Sequence, residues 1–286
     1  MTCRMLIEEM LEKFLDEDIG YGDITTDALV DSRTKATGQV VSKERAVIAG
    51  LSESIKLLKI LNCEGKSKVR DGQEVPAGTI VLELDGSGSS LLKVERVLLN
   101  LLSHMSGVAT ATAELVSIAK KNGSSARIAC TRKTLPGLRY FEKRAVELGG
   151  GDTHRLRLDD AVLIKDNHLR LAGSITESVR KAKAKVSFTT KIEVEATSPN
   201  QAVEAAQAGA DIVLLDNMTP QEVKNSVIRL EAKKLRGRLL IEVSGGITRD
   251  NLASYLKTGV DVISVGSITH SAKSIDMSLD LHSVKK

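Results

Sequence analysis

The chain has 286 residues, 42% of them apolar and only 2% aromatic, with a formal net charge of +4 at pH 7. That length admits a sizeable core and two domains, and a core so poor in rings is aliphatic. Few aromatic platforms, and lysines and arginines scattered along the chain, argue against nucleic acid as a partner.

Cys3, Cys63 and Cys130 have no metal or redox spacing. An odd count in a chain of this size points to reduced thiols and a cytoplasmic protein. Residues 1–20 mix acids with apolar positions and lack a signal-peptide core, and no run is long enough to span a bilayer. No membrane partner is expected.

Met5, Leu6, Met10, Leu11, Phe14 and Leu15 recur at helical spacing, so the chain opens with an amphipathic helix. Gly20-Tyr21-Gly22-Asp23 ends it. Residues 36–48 alternate and are rich in β-branched types, and residues 68–85 hold short strands broken at Asp71-Gly72 and Pro76-Ala77-Gly78. This predicts an α+β half with a small antiparallel sheet. Residues 90–121 read as helix in two pieces, Leu91 to Met105 and Thr110 to Lys120, with a break at Gly107. Leu98, Leu99, Leu101 and Leu102 belong to the core.

From residue 126 the rhythm becomes strand, polar loop, helix. Strands are expected at 126–131, 161–165, 189–195, 211–215, 238–243 and 261–265, and helices at 173–185, 199–209, 219–232 and 249–258. Short apolar strands alternating with helices make parallel βα units. Six such units predict a parallel α/β barrel; a doubly wound sheet is the alternative, without a Gly-x-Gly-x-x-Gly to support it. The expected domains are 1–108, joined by the tail 271–286, and 109–270.

In such barrels the chemistry lies at the C-terminal ends of the strands. Those ends carry Thr131-Arg132-Lys133, Lys165, Glu195, Asp216-Asn217, Ser244-Gly245-Gly246 and Gly266-Ser267. Residues 131–168 are dense in cations between glycines and apolar runs, which suits a polyanion better than a solvated face. The glycine and serine turns after the last two strands, with His270 nearby, predict a phosphate cradle. Glu195 and Asp216 are hard oxygen ligands of the kind Mg²⁺ uses. The residues alone therefore describe a phosphorylated sugar at the last strands, a carboxylate-bearing partner among Arg132, Lys133, His154 and Arg155, and acids serving a metal or a developing positive charge.

Thr131-Arg132-Lys133-Thr134-x-Pro136-Gly137-Leu138-Arg139, Gly149-Gly150-Gly151-x-x-His154-Arg155 and Leu163-Ile164-Lys165-Asp166-Asn167-His168 together resemble the signature of the quinolinate phosphoribosyltransferase family. Glu17-Asp18-x-x-x-Gly22-Asp23-Ile24-Thr25-Thr26, Glu95-Arg96, Glu193-Val194-Glu195, Leu215-Asp216-Asn217-Met218, Ser244-Gly245-Gly246-Ile247 and Gly266-Ser267-x-Thr269-His270-Ser271 follow in the family's order. The resemblance implies an N-terminal α/β sandwich and a C-terminal α/β barrel of about six strands. It implies the reaction of quinolinate with 5-phosphoribosyl 1-pyrophosphate, with Mg²⁺, to nicotinate mononucleotide, pyrophosphate and CO₂. It further implies a homodimer or larger assembly in which Arg96 is supplied across the interface.

By position, Arg96, Arg132, Lys133, His154 and Arg155 would bind quinolinate. Lys165, Glu195, Asp216, Ser244, Gly245, Gly246, Gly266, Ser267 and His270 would bind the phosphoribosyl substrate, with Glu195 and Asp216 toward Mg²⁺. Lys133, Lys165, Glu195 and Asp216 would be catalytic. The sequence departs from the family at Cys130, usually Asp, at Thr153, usually Asn, and at Arg157, where glycine is common. A nicotinate phosphoribosyltransferase on the same scaffold, a Schiff-base aldolase using Lys165 and a non-catalytic phosphate-binding protein are the rival readings.

Overall fold

The computed structural model describes residues 3–31 and 33–284, and of residues 3–5 the backbone alone, so the side chains of Cys3 and Met5 lie outside the described residues. The chain divides into two compact units, Met1–Ala111 with Ala272–Lys286, and Thr112–Ser271.

The first unit runs α1 (Cys3–Ile19), α2 (Ile24–Leu29), β1 (Lys35–Ser42), β2 (Ala46–Val47), α3 (Leu51–Ile60), β3 (Glu64–Ser67), β4 (Glu74–Val75), β5 (Thr79–Ser87) and the start of α4 (Gly88–Lys121). The final strand of the chain, β12 (Met277–Ser283), returns to it. The sheet order is β12-β1-β5-β3, antiparallel throughout, and β2 and β4 form a separate two-stranded ladder. Along β1 buried and half-buried positions alternate, because one face of the strand packs on the core. Leu91, Val94, Leu98 and Leu102 on α4 are fully buried in that core.

The expected break at Gly107 is absent: α4 is one continuous helix of 34 residues. Glycine stands there for another reason. A Cβ at 107 would lie 2.2 Å from the carbonyl oxygen of Lys273, and the Ile275 amide donates to the Ser103 carbonyl at 3.1 Å. The returning tail lies against the helix backbone, and only glycine leaves room for it.

The second unit holds β6 (Arg127–Ala129), α5 (Arg139–Leu148), β7 (Val162–Ile164), α6 (Asp166–Ala172), α7 (Ile175–Lys185), β8 (Ile192–Ala196), α8 (Pro199–Ala208), β9 (Ile212–Asp216), α9 (Pro220–Ala232), β10 (Leu240–Ser244), α10 (Leu252–Leu256), β11 (Val262–Ser264) and α11 (Ser267–His270). Its six strands are parallel, in the order β6-β11-β10-β9-β8-β7. The first strand pairs with the last and the rest follow in sequence, which is the order of a barrel rather than of a doubly wound sheet. Among the described residues β6 and β7 are not paired with each other; residues 130–161 connect them, and Asp152 makes a parallel bridge to Ala129.

Local chemistry fixes the connections. Ser198 and Thr219 cap α8 and α9 from the side chain, each with proline in the first turn, and Thr219 and Glu222 close a capping box. Val194, Ala196, Val213, Leu215, Ile241 and Val243 are fully buried on one face of their strands, while the other face carries Leu214 and the acids Glu193, Glu195 and Glu242.

Candidate active site

Because the strands are parallel, their C-terminal ends share one end of the barrel. Lys165 follows β7, and its Nζ lies 2.7 Å from Oε2 of Glu195 on β8. Asp216 ends β9. Burial first, and then the charge of Glu195, raise its carboxyl, while Lys165 and Lys133 pull it down. Groups from four strands thus feel one another. The Asn217 side chain donates to Oδ2 of Asp216 at 2.6 Å from a left-handed backbone, φ +55°. Two carboxylates that repel each other offer the hard oxygens a divalent cation takes, although Lys165 and Lys133 already offset part of their charge.

The turns after β10 and β11 lie beside this acid pair. Gly245 has φ +99°, and a Cβ there would sit 2.2 Å from the Asn217 side-chain oxygen and 2.8 Å from its amide nitrogen. Gly246, at φ +60°, faces open space. A Cβ on Gly266 would lie 3.3 Å from both Lys133 Cδ and His270 Nε2, so these two side chains flank the turn. Thr269 Oγ1 donates toward the carbonyls of Lys133 at 2.8 Å and Gly266 at 2.9 Å, tying the loop after β6 to the turn after β11. Ser244 is half-buried and Ser267 exposed at the same end.

The cationic side is carried by residues 130–161. Arg132 and Arg155 are neighbours: burial lowers the Arg155 guanidinium's pKa and the charge of Arg132 lowers it further. Nη1 of Arg155 donates to the Ala161 carbonyl at 3.1 Å, and Nε of Arg132 is buried without a partner. His154 sits next to Arg155 with φ +52°. Its Nδ1 accepts from the Arg155 amide at 2.6 Å, and its Nε2 lies 3.1 Å from Glu242 and 3.5 Å from Glu193. Burial disfavours charge on the ring, but the two carboxylates outweigh it and push the imidazole up to about 10. Such a ring is charged at neutral pH, whereas the Arg155 amide facing Nδ1 is the contact of a neutral one; in both forms Nε2 carries a proton and donates to the acid pair.

Among the described residues, His154, Glu193 and Glu242 form a group close enough to hold a metal ion. With Nδ1 accepting an N–H, Nε2 keeps its proton and has no lone pair to offer, so the ring is not set as a ligand. Glu193 and Glu242 are 1% and 3% exposed, and burial raises Glu193. Glu242 does not stand out in the sequence reading; an acid in the apolar run Leu240-Ile241-Glu242-Val243 was the signal that could have found it.

The domain models of quinolinate phosphoribosyl transferase match this chain over residues 23–106 for the N-terminal domain and 108–280 for the C-terminal domain. The chain belongs to the quinolinate phosphoribosyl transferase family. A curated relative from Methanothermobacter thermautotrophicus, named probable nicotinate-nucleotide pyrophosphorylase (carboxylating), is 46% identical over 97% of this chain and 99% of its own. The Mycobacterium leprae nicotinate-nucleotide pyrophosphorylase (carboxylating) is 38% identical over 96% of both. The crystal structure of NadC from Streptococcus pyogenes superposes with a TM-score of 0.91 at 36% identity, covering 100% of this chain and 99% of that one.

Arg96, expected at this family's shared site, is exposed on α4 and makes no hydrogen bond or ion pair among the described residues. The departures from the family's usual residues have local partners. The buried Cys130 thiol donates to the Thr153 carbonyl at 3.3 Å, and the exposed Arg157 pairs with Asp159 at 3.5 Å. Among the described residues no helix is long and apolar enough to cross a membrane.

Proposed function

We propose that this enzyme is a decarboxylating quinolinate phosphoribosyltransferase, making nicotinate mononucleotide, pyrophosphate and CO₂ from quinolinate and 5-phosphoribosyl 1-pyrophosphate. The observation that carries the reading is the pair Arg132 and Arg155, two neighbouring guanidiniums that form no salt bridge among the described residues, next in sequence to Lys133, whose charge reaches Asp216. Two like charges held together at a site call for a dianion. Quinolinate has two carboxylates; nicotinate has one.

Arg132, Arg155 and Lys133 would clamp the carboxylates, with His154 forming the corner between them, and the assembly would turn the ring nitrogen toward the ribose C1. Fixing that approach removes much of the entropic part of the barrier. As the bond from C1 to pyrophosphate breaks, positive charge grows on the ribose, and Glu195 and Asp216 would stabilise it. Mg²⁺, held by Glu195 and Asp216 through water and substrate, would supply charge neutralisation at the pyrophosphate. Lys165, ion-paired with Glu195, adds a cation on the same side, and that pairing disfavours the aldolase reading. Once the ring nitrogen carries a positive charge, the adjacent carboxylate leaves as CO₂. Its bonding pair stays on the ring carbon, which then takes a proton.

The turns at Ser244, Gly245, Gly246, Gly266 and Ser267, with His270, would receive the 5-phosphate. In this reading the working form is at least a dimer, and the exposed Arg96 completes the neighbouring subunit's quinolinate site. The enzyme works in the cytoplasm, which the free thiols of Cys63 and Cys130 support. The deciding experiment incubates the protein with 5-phosphoribosyl 1-pyrophosphate and Mg²⁺, once with quinolinate and once with nicotinate. Mononucleotide and equimolar CO₂ from quinolinate alone is the expected result. Turnover of nicotinate without CO₂ would move the enzyme to the one-carboxylate reaction.

A further inference from the structure

Lys143 belongs to the basic stretch by sequence, yet its side chain is among the largest that are fully buried. A buried ammonium must satisfy three N–H groups and usually finds a carboxylate. Lys143 makes no ion pair among the described residues, and Asp160 reaches it only through space. Its Nζ instead donates to two backbone carbonyls, those of Thr153 and, at 2.7 Å, Arg155, with the Cys130 thiol close by.

Those carbonyls flank His154. The residue between them has φ +52°, a costly conformation for a residue with a side chain, which a hold on its neighbours helps to keep. One ammonium spanning the carbonyls before and after a left-handed residue is such a hold. On the other side of the corner, Asp152 Oδ1 accepts from the His154 amide at 2.8 Å, and Glu193 and Glu242 take the imidazole. The Arg155 guanidinium leaves from this same corner. Where it points therefore depends on a backbone that Lys143, on α5, supports through two carbonyls.

We propose that Lys143 is a positioning residue for the pyridine dicarboxylate: by pinning the carbonyls of Thr153 and Arg155 it fixes the corner at His154 and thereby the place where Arg155 meets a carboxylate. This role rests on the activity proposed above. Lys143 touches neither the acid pair of β8 and β9 nor the glycine turns after β10 and β11, so the phosphoribosyl half of the site should not depend on it.

The test compares the full-length wild type with Lys143→Met, which keeps the length and loses the charge and donors. Quinolinate binding is followed by calorimetry, and KM is measured for both substrates. The expected result is a KM for quinolinate raised at least tenfold, with the KM for 5-phosphoribosyl 1-pyrophosphate within twofold of wild type. An unchanged KM for quinolinate, or both KM values rising together, overturns the proposal, because a general prop of the barrel would not discriminate between substrates. Should Lys143→Met fail to fold, Lys143→Gln, which keeps an N–H donor, is read by the same split with a smaller rise. If the wild type itself binds no quinolinate, the assigned activity is what fails; if it binds and the variants bind equally, only the role of Lys143 does.

Discussion

Gly245→Ala separates the two demands made on the turn after β10. At φ +99° a side chain is strained whatever surrounds it, which costs about 1–2 kcal/mol. The added methyl would also sit 2.2 Å from the Asn217 oxygen and 2.8 Å from its amide nitrogen, and displacing packed neighbours costs roughly 1–3 kcal/mol more. Gly246→Ala is the matched control: its φ is +60°, but nothing lies within 4 Å of a Cβ there, so only the strain applies. The clash also has a chemical consequence, since Asn217 holds Asp216 at 2.6 Å. Moving Asn217 disturbs the acid expected to face the pyrophosphorylated ribose. Thermal melts should show Gly245→Ala falling several degrees further than Gly246→Ala, at roughly 2–4 °C per kcal/mol. Steady-state kinetics should show its KM for 5-phosphoribosyl 1-pyrophosphate rising about tenfold, with a much smaller change for Gly246→Ala. Equal behaviour of the two variants would refute the reasoning, because the contact with Asn217 is the only difference it relies on.

Three further outcomes are expected. Mixing Arg96→Ala subunits with Arg155→Ala subunits should restore roughly a quarter of wild-type activity, since half of the random dimers would carry one intact site of two; no recovery on mixing would argue against a site shared between subunits. Asp216→Asn should lower kcat by about tenfold or more yet raise the melting temperature of the substrate-free protein at pH 7. The sign follows from the carboxyl's being raised on folding by burial and by Glu195: the folded state then holds its proton to higher pH than the unfolded chain, and stability is lost as pH rises through that window. Calorimetry without substrate checks it, and a lower melting temperature would contradict the account. Gly107→Ala should destabilise by about 1–2 kcal/mol in a melt, because the backbone clash with Lys273 outweighs the roughly 1 kcal/mol of helix propensity that alanine adds; a rise in melting temperature would mean the tail yields.

The barrel was legible because its strands are short apolar runs separated by capped helices, and the strand ends could be read off as a list. Glu195, Asp216, Lys165 and the glycine turns came from that list alone. Gly107 was misleading because its partner is a backbone carbonyl at Lys273, far along the chain, and a glycine that makes room looks in sequence like a glycine that breaks a helix. Lys143 and Glu242 escaped for a related reason. A charged residue is presumed solvated until its neighbours are known, and the neighbours here are carbonyls and a histidine from other segments.

The unpaired side between β6 and β7 gives the barrel a division of labour. Strands β7 to β11 are laced to one another by ladder hydrogen bonds, and a change of backbone in any of them would have to propagate through its neighbours. Residues 130–161 join that ladder only at the bridge to Ala129, and the rest of their hold comes from side chains such as Lys143 and Thr269. Arg132, Lys133, His154 and Arg155 stand on this unlaced segment, whereas Glu195 and Asp216 stand on the laced strands. Preference among aromatic acids could therefore drift, or be engineered, by rebuilding one segment, while the chemistry performed on the sugar stays anchored to the part of the fold least free to change.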